Sequence, residues 1–416
     1  MESVPVLTSR ASLVLDLPPS CVQFCPSHAD YFVVGTYNLK QGGEGAEGVK
    51  GDKPDGNKSQ SRNGSLLLFR IDGKALILVQ ALPLTSAVLD LCFHPAEGLR
   101  DMLAVVSSTG TLSIFRIDPA HQPDSPIVHL GTSRCQDLDE DTLLLQCSWH
   151  PLKPHTLGLT TSAGLARLVS LDREWRITGS LDLDVRNELE AWCIAFSPSV
   201  QGRGGSETHY TVYCGGDDST LRYNTYSVGR GTATTAPSAE RSSFSAVAIK
   251  GQHIAGVTAI LPLSLHDQTG ARLVVTGSYD DHVRLLAIHD LDETCGVKRV
   301  RLRAEENLGG GVWRLDLMSH RTTAEEDGGP RVTILASCMH AGSRIIELRR
   351  RVGEGQEEEW TFAVLARFEE HQSMNYGSAF MRSRQGPSDR LTWACVSTSF
   401  YDKLLCLWDW HALAEG

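Results

Sequence analysis

Short stretches in which apolar and polar residues alternate recur along the whole chain, set apart by clusters of Gly, Asp, Ser and Pro, with no long run at a 3.6-residue period. Alternation at period two puts successive side chains on opposite faces of a β-strand, so the pattern predicts an all-β protein. Four segments carry nearly the same message: CGGDDSTLRY (residues 214–223), TGSYDDHVRLL (276–286), ASCMHAGSRII (336–346) and STSFYDKLLCLWDW (397–410). Each reads as a strand ending in small residues, a tight turn and a second strand. Lining up the turns places Asp218, Asp280, His340 and Asp402 in register about sixty residues apart, the mark of a repeat architecture.

A strand that begins with a small or aromatic residue precedes each of these units: AWCIAFSP, GVTAILPL, GVWRLDLM and YGSAFMR. Three weaker copies lie upstream, built on VQFCP, VLDLCFHP and LLLQCSWHP, which brings the count to seven. A four-stranded sheet alone leaves both faces wet, whereas seven around an axis cover one another. The pattern therefore predicts a seven-bladed β-propeller forming one domain over residues 12–411. Residues 12–17, SLVLDL, precede the first unit and have no partner in it, so they are expected to close the ring by joining the last blade. Residues 41–64 hold almost no bulky apolar side chain and predict a disordered insertion within blade one.

Composition narrows the functional classes. Hydrophobic residues make up 41% and charged residues 21%, as in a soluble globular protein, and no apolar run is long enough to span a bilayer. The first twenty residues lack the basic and apolar regions of a secretory leader, so a cytoplasmic address is expected, with the nucleus open as well. Eleven cysteines with no C-x-x-C pair suit buried, reduced thiols. Cys338 with His340, or Cys92 with His94, is too small a set for a metal, so neither metal nor cofactor is expected. A formal charge of −11 without a basic cluster argues against direct nucleic-acid binding and favours basic partners. A monomer is expected, since propellers bury their own edges.

The familiar catalytic signatures, G-x-S-x-G, G-x-x-x-x-G-K-[ST] and H-E-x-x-H, are absent. In propeller blades a loop His, a strand hydroxyl, the turn Asp and a Trp bond one another, which gives His371 with Asp402 and Trp408, and His253 with Asp280, a structural reading. Blade six departs from this scheme because His340 stands where the turn Asp is expected, and such a break marks a place to look for function. Residues at the starts of inner strands and just before the turns converge on one end of the channel. That rule collects Trp192, Trp313 and Tyr376 from the strand starts, and Asp217, Tyr279, Met339 and Tyr401 from the turns. Aromatic faces with a carboxylate suit a quaternary ammonium group, because ring quadrupoles attract a cation that donates no hydrogen bonds. The alternative is that the rings only pack blade against blade.

With GGDDSTLR, GSYDDHVRLL, GGGVWR, ASCMHAG and SFYDKLLCLWDW in this order, the chain resembles the WD-repeat (WD40) diphthine methyl ester hydrolase family of diphthamide biosynthesis, from about residue 22 to residue 410. The resemblance implies hydrolysis of the methyl ester on an over-methylated histidine derivative of translation elongation factor 2, giving diphthine and methanol. Substrates of that family carry a trimethylammonium group beside the ester, and the aromatic and acidic set is suited to hold it. Ester hydrolysis needs an activated water and donors for the oxyanion. His340 is the first candidate base, with His253 or the Asp281–His282 pair second. The backbone N–H groups of residues 309–311, or Arg314, are candidate oxyanion donors, and Cys338 is a remote candidate nucleophile. The competing reading is a non-catalytic adaptor that presents one protein to another.

Overall fold

The computed structural model describes residues 4–39, 62–197, 200–201, 207–229, 242–321, 329–352, 358–382 and 392–412. All regular structure among them is β, arranged as seven sheets of four or five strands, antiparallel except for one outer strand of blade six. The innermost strands are Pro19–Phe24, Val88–Phe93, Leu144–Trp149, Ala191–Phe196, Val257–His266, Arg314–Arg321 and Gly377–Arg382, one to each blade. Each touches the next around the axis, and Gly377–Arg382 touches Pro19–Phe24, so the ring is closed. The protein is a seven-bladed β-propeller.

The burial pattern explains why these segments became strands in these places. Second strands lie between neighbours on every side, and Met102–Ser107, Thr156–Thr161 and Arg272–Ser278 are buried at every position. Outer strands meet solvent on one face, and Ile177–Asp182 alternates strictly between half-buried and exposed. Seven hydrophobic clusters fill the seven gaps between adjacent blades, for example Val274, Leu286 and Ile288 of blade five against Tyr213 and Tyr223 of blade four. Small residues permit the close approach. A Cβ on Gly215 would come within 2.6 Å of Val257 Cγ1, which opens the neighbouring inner strand.

Closure of the ring comes from the N-terminal strand, a few residues earlier than expected. Ser9–Val14 pairs antiparallel with Leu404–His411, Ser9 opposite Trp408 and Val14 opposite Leu404. Of residues 12–17 only the first three belong to this strand; Leu15 makes a last backbone bond to Lys403, and the chain then turns at Pro18 into blade one. Val6–Leu7 adds a second tie as a parallel outer strand on Glu358–Phe368 of blade six. The insertion expected over residues 41–64 lies outside the described residues except for 62–64, which begin the strand Arg62–Asp72.

The turn aspartates bind the loops that lead into their blades. Asp218 accepts from Glu188 N at 2.9 Å and pairs with Arg222, Asp280 accepts from Ile254 N at 3.0 Å and pairs with Arg284, and Asp402 accepts from Gln372 N at 3.0 Å. In blade seven the buried Ser397 hydroxyl bonds both His371 Nε2, at 2.8 Å, and Trp408 Nε1, at 3.0 Å. Ser397→Ala strands two buried ring nitrogens and is expected to cost about 1–3 kcal/mol, read as a lower urea midpoint at unchanged slope. Ser12→Ala, on the exposed side of the closing strand, is expected to stay within about 0.5 kcal/mol of wild type in the same measurement.

Candidate functional site at one end of the central channel

All seven inner strands run the same way along the axis, so their first residues gather at one mouth. Trp192 is the second residue of the inner strand of blade four, and Trp313 and Tyr376 immediately precede the inner strands of blades six and seven. Tyr279 and Asp217 come from the turns of blades five and four. The four rings are half-buried and in mutual contact: Trp313 lies 5.4 Å from Trp192, 5.8 Å from Tyr279 and 5.1 Å from Tyr376, centroid to centroid. Trp192 Nε1 donates to Asp217 Oδ1 at 2.5 Å. Trp313 Nε1 is buried and has no hydrogen-bond partner among the described residues. The set is thus one continuous aromatic surface centred on Trp313, with an acid at its edge, rather than rings standing apart round an empty centre.

Of the floor beneath this surface only Arg314 was expected; Asp90 and Asp316 were not. Arg314 reaches across the channel from blade six to blade two, where its Nη2 donates to Asp90 Oδ1 at 2.8 Å, and its Cζ lies 6.0 Å from the Trp313 centroid. The other Asp90 oxygen accepts from Cys147 N in blade three. Their side chains are 19% and 8% exposed. Burial acts against the guanidinium, but the carboxylates of Asp90 and Asp316 hold Arg314 above its ordinary value, so it stays charged. Two residues further along the same strand, Asp316 faces a cavity of about 510 Å³ that every inner strand helps to line. Burial pushes the Asp316 carboxyl up to about 6, with Arg314 opposing the shift and Asp90 reinforcing it. The available signal was a charge inside an innermost strand, in VLDLCF and in WRLDLM.

The expected site residues divide between this end of the channel and the blade interiors. Met339 lies at the mouth in the left-handed region, φ 42°, bridged to Asn375, with its Sδ 2.7 Å from where a Gly311 Cβ would stand. Tyr401 is 70% exposed and stacks edge-on against Phe400, which in turn contacts Tyr376, so it belongs to the rim. His253 takes the structural place and not the second-choice base position: it is buried inside blade five, bonded to Thr276 Oγ1 at 2.9 Å, with burial holding it down to about 4. His282 is tied by Nδ1 to the Asp280 carbonyl at 2.6 Å, and Asp281 holds a positive-φ turn position, its carbonyl accepting from Leu308 N. His340 is exposed on the blade-six turn and has no orienting hydrogen-bond partner among the described residues. The turn arginine of that blade, Arg344, pairs instead with Glu369 at 2.8 Å.

The remaining candidates are committed elsewhere. Gly309 N donates to its neighbour Asn307, and a Cβ on Gly310 would lie 2.4 Å from the Cys338 carbonyl, so this loop is packed against the turn of blade six. Cys338 is fully buried and burial raises its thiol to about 12, which removes it as a nucleophile at neutral pH. Arg314 is therefore the expected oxyanion donor that the geometry leaves facing the channel.

No family model matches the chain. Over most of its length it is similar to proteins named diphthine methyltransferase: 26% identical to that of Mus musculus over 87% of this chain and 67% of that protein, 25% to that of Schizosaccharomyces pombe over 95% of both, and 25% to that of Saccharomyces cerevisiae over 98% and 100%. Among solved structures it resembles Chaetomium thermophilum Sqt1, crystallised bound to the N-terminus of the ribosomal protein L10, with a TM-score of 0.51 and 12% identity over 96% of this chain and 99% of that one. That likeness bears on the fold alone.

Breaking the channel pair exposes its cost. Arg314→Met leaves the Asp90 carboxylate without its partner and is expected to destabilise by about 3 kcal/mol, the low end for a broken buried pair because Arg314 keeps contact with the cavity. Arg314→Met with Asp90→Leu is expected to recover most of that loss, measured by denaturant unfolding of the single and double variants.

Proposed function

We propose that this protein is a methylesterase of diphthamide biosynthesis, hydrolysing the methyl ester of an over-methylated diphthine residue on translation elongation factor 2 to the free acid and methanol. The observation that carries the reading is the aromatic surface of Trp192, Tyr279, Trp313 and Tyr376, with Asp217 at its edge, in a chain similar over most of its length to proteins named for diphthine. A trimethylammonium group donates no hydrogen bonds and is recognised by ring faces and a nearby carboxylate. In diphthine the carboxyl group is attached to the same carbon as that cation. Seating the cation on the rings therefore carries the ester toward Arg314, which has further N–H donors beyond the one given to Asp90. A guanidinium at that place stabilises charge developing on the carbonyl oxygen.

The relatives are named for methyl transfer and not for hydrolysis, and one experiment separates the two. Purified protein is incubated with methyl-esterified elongation factor 2, with no methyl donor and no second protein, and the modified peptide is followed by mass. Loss of one methyl group with release of methanol supports hydrolysis; binding without loss supports a non-catalytic adaptor; methylation that requires an added donor supports the transferase. Under the first outcome Trp313→Ala is expected to raise KM about tenfold, the loss of one good cation–π contact.

A further inference from the structure

The mouth supplies recognition and an oxyanion donor but leaves the attacking water without a base. His340 sits on the outer turn with nothing to orient it, and His253 is sealed inside a blade. A candidate base must reach the reacting centre, so the search turns inward, to the cavity under the aromatic surface. That cavity is contiguous with the mouth through Tyr376, which both contacts Trp313 and lines it. Arg314 and Asp316 occupy alternate positions of one strand, so their side chains leave on the same side, about 6–7 Å apart along the chain. Asp90 meets them from blade two.

We infer that Asp316 is the general base of the ester hydrolysis, holding the attacking water in the channel beside an ester whose carbonyl oxygen Arg314 binds. The inference rests on the methylesterase reading and assigns its missing step. In the addition half, the water oxygen bonds to the ester carbon, a water proton passes to an Asp316 carboxylate oxygen, and the carbonyl π pair moves onto the oxygen facing Arg314. In the second half, that pair re-forms the carbonyl, the bond to the methoxy oxygen breaks, and the methoxy group leaves as methanol with the proton that Asp316 held. The product acid then ionises to solvent. No oxidant, metal or second substrate enters the balance.

Three features of the site suit Asp316 to this step. It has no hydrogen-bond donor fixed on its carboxylate among the described residues, whereas Asp90 is engaged by both Arg314 and Cys147 N. The cavity beneath it extends to the far ends of the inner strands, past Pro26, Phe196 and Met381, and its volume of about 510 Å³ leaves room for the attacking water and the departing methanol. Its surroundings also keep it close to neutrality. The groups that bear on it are Arg314 on its own strand and Asp90 and Cys92 across the channel, with Cys21 and Cys147 beside Asp90, Cys193 beside Arg314 and Tyr376 above. Burial leaves its carboxyl at about 6, near the pH at which a base is most effective.

The test is the rate of methanol release from methyl-esterified elongation factor 2 between pH 4.5 and pH 8.5 for wild type, Asp316→Asn, Asp316→Glu and His340→Ala, with thermal melting as a check on folding. Wild type is expected to gain activity as pH rises through about 6, where Asp316 loses its proton. Asp316→Asn is expected to lower kcat about 10²–10⁴-fold with KM little changed and the limb near pH 6 abolished. Asp316→Glu is expected to restore part of kcat and a titrating limb, and His340→Ala to behave as wild type. A folded Asp316→Asn protein with wild-type kcat overturns the inference, as does a limb near pH 6 that survives in Asp316→Asn or vanishes in His340→Ala. If Asp316→Asn does not fold, a wild-type rate with no limb near pH 6, or an Asp316→Glu profile identical to wild type in rate and pKa, overturns it. Wild-type protein that binds the substrate and releases no methanol fails the methylesterase reading itself, a result distinct from the others.

Discussion

Each blade has two wide faces and no interior of its own, and every other property of this protein depends on covering them. The seven apolar clusters lie between blades rather than within them, so no blade keeps its core unless its neighbours are seated. The bond pattern between Ser9–Val14 and Leu404–His411 turns this mutual dependence into a closed ring by making the last blade partly N-terminal. Covering faces blade to blade also leaves a gap on the axis, where the innermost strands have no further strand to pair with.

What fills that gap decides the chemistry. Most of the axis is lined by apolar and small side chains, but blades two and six contribute Asp90, Arg314 and Asp316. A guanidinium and two carboxylates share this confined space: one pair is matched, and burial holds the second acid above the usual carboxylate range. Above them the aromatic mouth provides the opposite environment, a surface attractive to a cation with no proton to donate. The two layers, aromatic above and charged below, are joined by Tyr376, which takes part in both.

The architecture was legible because turn chemistry and period-two alternation repeat seven times, and repetition makes weak signals add. The convergence of Trp192, Trp313, Tyr376, Tyr279 and Asp217 was legible for the same reason, since equivalent positions in a rotational array meet on the axis. The channel acids were harder to see. Asp90 lies in VLDLCF and Asp316 in WRLDLM, and an isolated acid in an alternating strand ordinarily points to solvent; only a strand innermost in a ring sends it to a shared interior. His340 drew attention because it broke a rule, yet the consequence of that break is local: Arg344 turns to Glu369, and the imidazole is left in water. His253 showed the reverse, a residue that obeys the rule and is buried by it.

Arg314 and Asp90 stand 224 residues apart in the chain. During synthesis the second blade emerges long before the sixth, and until the blades between them are stacked, Asp90 has only water to face. The ion pair therefore forms only when the intervening blades have taken their places in the ring. A fragment that lacks either half retains some of the aromatic rings, but not the paired charge beneath them. Whatever the pair supports in the channel therefore exists only once the circle is complete.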